Sequence, residues 1–351
     1  MSTMKETTLS RGKFKGVIVG CSILALVILM GCVTQGTVAI PLKVIIRVVG
    51  EELGLIPATL DEDSVLSAYR LILVKLRIPR VVMAFIVGAG LGTSGLIFQG
   101  IFTNPMAEPY VLGISSGAAF GATLMSVFGV GGSLLGFSMI SLGAFVGALG
   151  TSLVVFGIAR GNRSNQMTVL LLSGIAISFF LSSLISLMMT LNREVIESIF
   201  FWTMGSVSTA TWDKILPVGT GTVLGIAVFS YYARELNIML TGEDSAKALG
   251  VDVRRVRLIL LHTASFITAL AVSVSGIIGF VGLIVPHSVR LVIGPDHRRL
   301  IPLTIITGGL FLSITDMIAR TVVPPMEIPL GVMTALVGTP YFLYLLIRKK
   351  R

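Results

Sequence analysis

Between Pro109 and Ala159 the chain runs for 51 residues without one charged side chain. A helix needs about 20 apolar residues to cross a hydrocarbon core, so this interval is too long for one crossing and fits two. The Gly129-Val130-Gly131-Gly132-Ser133 run between the halves supplies the turn. Other uncharged intervals recur along the chain: Val17 to Thr34, Val81 to Thr103, Met167 to Asn192, Ile215 to Ala233, Leu258 to Val289, Leu300 to Thr315 and Ile328 to Ile347. The Leu258–Val289 interval is awkward for one crossing, and the Ser275-Gly276-Ile277-Ile278-Gly279 break divides it into two.

These intervals predict an all-α, polytopic membrane protein with ten transmembrane helices in a single transmembrane domain. The expected spans are approximately 17–34, 81–103, 109–128, 134–159, 167–192, 215–233, 258–275, 280–293, 300–318 and 328–347. The first could be taken for a signal peptide, but it exceeds the usual signal core and no small-residue cleavage site follows, so it is read as retained. Across the 351 residues, 54% are apolar and only 13% charged. Ordinary soluble domains carry about 25% charge.

An even number of spans places both termini on one side. With the termini cytoplasmic, 18 of the 27 Lys and Arg fall in cytoplasmic segments, as the positive-inside bias requires. The net charge of +10 is scattered in short clusters and forms no basic face for nucleic acid. Cys21 and Cys32 both lie in the first apolar interval and read as small buried hydrophobes. His262, His287 and His297 show no paired ligand spacing, and no GxxxxGK[ST] phosphate loop is present. No cofactor, metal site or catalytic residue is therefore expected. Any ATP hydrolysis must come from a partner. The uncharged intervals hold no Asp, Glu, Lys or Arg to bind a coupling ion, and His262 stands close to the cytoplasmic start of its span, which weighs against the alternative, an ion-coupled secondary carrier of a large hydrophobic cargo.

Two regions carry more specific information. Leu240 to Val251 writes a short helix of approximately 242–250: Thr241 or Gly242 can cap it, Glu243 and Asp244 suit its first turn, and Gly250 ends it. Its small apolar face, Ala246, Leu249 and Val251, suits either a groove on a partner protein or the lipid surface. On the opposite side stand Arg77, Arg80 and Arg320, where the positive-inside bias disfavours basic residues. Exposed there, they can fork carboxylates of a partner, or be neutralised in cis by Glu51, Glu52, Asp61, Glu62 and Asp63 and, for Arg320, by Asp316.

Several strings resemble one family. They are Leu76-Arg77-Ile78-Pro79-Arg80, Gly95-Leu96-Ile97-Phe98-Gln99-Gly100, Asn104-Pro105-Met106-Ala107-Glu108-Pro109 and Leu112-Gly113-Ile114-Ser115-Ser116-Gly117-Ala118. Further along come the Gly242–Val251 loop, Gly279 to His287 with Arg290, Gly294 and Asp296-His297-Arg298, and Asp316 to Arg320 with Glu327 to Val332. The family is the FecCD type: permease subunits of ATP-binding-cassette importers for cobalamin, haem and ferric siderophores. The resemblance implies a homodimer or pseudo-dimer with two cytoplasmic ATPase subunits below, an extracytoplasmic substrate-binding protein above, and alternating access at the dimer interface. It further implies that 242–250 is the coupling helix, that Arg77, Arg80 and Arg320 dock the binding protein, and that Asn104 and Met106 lie at the cytoplasmic gate. Thr103 and Met106 depart from the family's commoner Arg and Leu, which puts the gate's width in question.

Overall fold

The structure, a computed structural model, describes residues 11–36, 40–52, 54–55, 64–134, 136–161 and 166–349. It is built almost wholly of helices, as expected: α1 (Arg11–Thr34), α2 (Leu42–Glu52), α3 (Ser64–Leu71), α4 (Ile78–Ile101), α5 (Ile114–Val127), α6 (Met139–Arg160), α7 (Gln166–Leu191) and α8 (Ile196–Thr203). These are followed by α9 (Trp212–Tyr231), α10 (Ala233–Met239), α11 (Glu243–Ala248), α12 (Val253–Ser275), α13 (Val281–Ile293), α14 (His297–Ala319) and α15 (Leu330–Lys349). A two-residue hairpin pairs β1 (Ser133–Leu134) with β2 (Phe137–Ser138) at the turn between α5 and α6. The Ser138 hydroxyl then caps α6 by accepting from the Ser141 amide.

Among the described residues, seven helices are long and apolar enough to cross a membrane, and α5, α13 and α15 are shorter apolar helices. The helix expected from 81 instead begins far upstream. Residues Val65–Ile101 form one continuous helix in which α3 leads through a π-helical stretch, Ile72–Arg77, into α4. Pro79 explains the local need. In π register its missing N–H would have reached the Val74 carbonyl, and the Trp212 indole donates to that oxygen at 2.9 Å instead.

The core is graded. In the most apolar window of the Val65–Ile101 helix 83% of residues are buried, and 72% in α12, against 17% in α1 and in α7. α4 and α12 are thus central, while α1 and α7 leave most of their apolar side chains for lipid.

Helices approach closely where glycine removes the side chain. Gly88 of α4 faces Gly308 of α14 so tightly that a Cβ at either position would meet the other's carbonyl oxygen. Gly121 and Gly143 bring α5 against α6 in the same way. α12 stops at Ser275, where Gly276 has φ +65°, and a non-helical stretch runs to Phe280, itself at φ +69°, before α13 begins.

Candidate coupling and gating site

Gly242 and Gly250, with φ +110° and +84°, begin and end α11, so only these two positions make the sharp entry and exit. Glu243 accepts from Lys247 at 2.9 Å and from Arg257, on α12, at 3.0 Å. These two contacts, Lys247 first, hold the Glu243 carboxyl below the ordinary carboxylate range. The apolar face is not presented as expected. Ala246 is fully buried and Val251 packs on the core, so both anchor α11 to the bundle. Leu249 alone projects outward, 67% exposed.

Behind α11, α10 is tied to the start of α14 through Asn237. Its carbonyl oxygen accepts from the His297 amide at 2.8 Å and from His297 Nδ1 at 2.9 Å, and its amide nitrogen donates to Asp296 at 2.6 Å. Because that oxygen can only accept, His297 carries its proton on Nδ1. The His297 ring is buried against Gly100, near the end of α4, where a Cβ would sit 2.8 Å from Nε2. Three elements therefore meet at one imidazole: the stem of the α11 loop, the beginning of α14 and the end of α4.

The loop after α4 contains Asn104 and Met106, both exposed. The Asn104 side chain accepts from the Met106 amide at 3.0 Å, and the Asn104 amide donates to the Gln99 carbonyl at 3.2 Å. The loop's second half turns inward. Glu108 accepts from the Phe280 amide at 3.2 Å, and the Tyr110 hydroxyl donates to the Ile278 carbonyl at 2.9 Å. The gate-loop candidate is thereby fastened to the break between α12 and α13. Gln99 makes a second fastening. Pro286 cannot donate to the Gly282 carbonyl one turn back, and Gln99 Nε2 donates to it at 3.2 Å while its Oε1 accepts from Arg290 at 2.9 Å. Glu108, Tyr110, Gln99 and Asn237 were given no role from sequence; the proline at 286 is the signal that an acceptor needed a donor from elsewhere.

At the opposite end of the bundle the expectation of exposed arginines is corrected. Arg77 and Arg320 are 6% and 3% exposed. Arg77 donates to the carbonyls of Val33 and Thr34, and Arg320 to that of Cys32 at 2.6 Å. Those are the last carbonyls of α1, which have no partner within the helix and lie at the negative end of its dipole. Arg80 forks Asp316 and reaches Glu327 at 2.9 Å, and Arg320 approaches Asp316 at 3.6 Å. The three arginines are thus engaged inside the chain. Asp316, 1% exposed, is a buried charge within α14, and its approach to Arg320 is the neutralisation in cis that the sequence offers. Among the described residues no cluster of three or more His, Cys, Asp and Glu side chains could hold a metal ion.

A bundle of apolar helices packed through glycine, broken at 276–280 and carrying a short stand-off helix at one end, is the architecture of a transport permease. The model of the FecCD transport family matches residues 23–348, and the chain belongs to that family. It is 45% identical over 275 residues to the cobalamin import system permease protein BtuC of Halobacterium salinarum, covering 77% of this chain and 72% of that one. It is 39% identical over 296 residues to the hemin transport system permease protein HmuU of Yersinia pestis, covering 83% and 88%. Among solved structures, an inward-facing conformation of a metal-chelate type ABC transporter superposes with a TM-score of 0.81 at 30% identity, over 95% of this chain and 99% of that one. The protein is therefore the multi-pass membrane permease of an ATP-binding-cassette importer. It works with ATPase subunits, which hydrolyse the ATP, and with a substrate-binding protein.

Proposed function

We propose that two copies of this chain, each crossing the membrane ten times with both termini cytoplasmic, form the pathway of an importer for a cobalamin-like corrinoid, haem or a ferric siderophore. The strongest support for the coupling half of this reading is the geometry of α11. It is anchored by Ala246 and Val251, leaves Leu249 outward, and continues through α10 to the Asn237–His297 junction at the ends of α4 and α14. Movement of an ATPase subunit seated on Leu249 would pass through that junction to the gate-loop residues Asn104 and Met106. The two states so biased would alternate access, driven by differential docking and ATP state without covalent chemistry in this chain.

The binding protein is proposed to dock on the opposite face. Docking through Arg77 and Arg320 would require its carboxylates to displace the α1 carbonyls, whereas Arg80 and Glu327 are nearer the surface. For cargo, similarity to cobalamin and hemin permeases supports a large metal-organic compound. Vesicles containing the permease, its ATPase and its binding protein should accumulate one of cobalamin, haem or a ferric hydroxamate only when ATP and the binding protein are both supplied. Uptake of none of the three would reject this cargo class.

A further inference from the structure

A cleft of about 650 Å³ opens between the end of α6 and the beginning of α12, and none of its lining residues belongs to the gate loop or to α11 itself. Its inner wall is apolar: Leu153 and Phe156 from α6, and Ile259 from α12, with the His262 ring stacked on Phe156 at a centroid distance of 4.2 Å. Its rim carries Arg160, Arg254 and Arg255. All three arginines are exposed, and none has an ion-pair partner among the described residues. Asp252, the acidic residue of the lining, already caps α12 by accepting from the Arg255 amide at 3.0 Å. The cleft continues into the outward apolar stripe of α6, Val146, Leu153, Val154 and Ile158, each more than half exposed.

Both helices are of spanning length and both reach the rim with their terminal turns. The cleft therefore stands where hydrocarbon gives way to headgroups, with apolar side chains at acyl depth and guanidinium groups at phosphate depth. An apolar crevice of this size on a lipid-facing surface loses dispersion contacts unless something fills it. Three arginines without ion-pair partners among the described residues select an anion, since guanidinium forks phosphate oxygens and basic pockets between spanning helices favour acidic headgroups.

We infer that the α6–α12 cleft is a binding site for one anionic phospholipid, its phosphate held by Arg160, Arg254 and Arg255 and an acyl chain laid along Leu153, Phe156 and Ile259. The cytoplasmic leaflet follows from the orientation proposed above; the binding chemistry does not depend on it.

The test is native mass spectrometry of the full chain released from detergent micelles containing phosphatidylglycerol or phosphatidylcholine. The wild type should retain one phosphatidylglycerol per chain and no phosphatidylcholine. The triple variant Arg160→Gln, Arg254→Gln, Arg255→Gln should weaken retention about tenfold or more. Leu153→Trp, which fills the apolar half and leaves every arginine in place, should do the same, and Arg234→Gln on α10 should change nothing. Gel filtration identifies any variant that has not folded, and the other variant then decides. Equal retention of the two lipids, or unchanged retention in the folded variants, overturns the inference. So does displacement by excess inorganic phosphate, which marks a free-anion site, or complete loss of lipid when the ATPase binds, which marks a protein interface.

Discussion

Arg80 and Asp316, 236 positions apart, are joined by a forked contact: Arg80 Nε lies 3.0 and 3.1 Å from the two carboxylate oxygens and Nη2 lies 2.9 Å from one of them. This pair locks α4 to α14 and supplies the counter-charge for Arg320. Asp316→Asn should therefore lower stability by about 3 kcal/mol or more, because buried Arg320 loses its carboxylate and Arg80 is left with Glu327 alone. Adding Arg80→Gln should cost much less than the sum of the two single changes. Thermal unfolding of the detergent-solubilised protein measures both; additive losses would show that the pair is not coupled.

The glycine contacts separate into tight and open positions. Gly88→Ala places a methyl against the Gly308 carbonyl and 2.8 Å from Leu312 Cβ, and should cost about 1 to 3 kcal/mol through overpacking. Gly150, within α6, has nothing inside 4 Å of such a methyl. Gly150→Ala should be neutral or stabilising by about 0.5 to 1 kcal/mol through backbone entropy. Unfolding midpoints of the two variants that move together would contradict the packing described for α4 and α14.

Trp212 and Pro79 should be linked although the proline lacks the very group in question. Trp212→Phe leaves the Val74 carbonyl without its donor and should destabilise by about 1 kcal/mol or more. In a Pro79→Ala background the restored amide can serve the freed carbonyls, so the same change should cost less. A cost of Trp212→Phe that is unaltered by Pro79→Ala would assign it to lost packing alone.

The spans are legible in the sequence because burying an unpaired charge is costly, so long uncharged intervals become helices. α11 is legible because Gly242 and Gly250 take positive φ where other residues are strained. α2 is hidden for the converse reason: Lys43, Arg47, Glu51 and Glu52 interrupt its apolar residues, and only the helical period brings Ile45 and Val48 into the core. Arg77 and Arg320 read as surface residues, because nothing local reveals that the end of α1 will supply them with carbonyls. Ala246 turns toward the bundle and not outward; a six-residue helix has too few turns for its pattern to say which side meets the bundle.

Glu243 gives α11 a pH dependence with a fixed sign. Its folded carboxyl lies below the ordinary value near 4.5, so its support for the loop is present at neutral pH and is lost as pH falls through the folded value. Pepsin cleavage between residues 243 and 250 should rise steeply below the carboxylate range in the wild type. Glu243→Gln should remove that steepness; an unchanged profile would place the acid sensitivity elsewhere.

The most direct test of the coupling account is the outward Leu249. Leu249→Asp leaves the anchors Ala246 and Val251 untouched, so the permease should fold and unfold as the wild type does. Its affinity for the ATPase subunit should fall about tenfold or more, with ATP-driven uptake in reconstituted vesicles falling in step. Undiminished ATPase binding and uptake in the folded Leu249→Asp protein would contradict the assignment of α11 as the element through which ATP hydrolysis reaches the pathway.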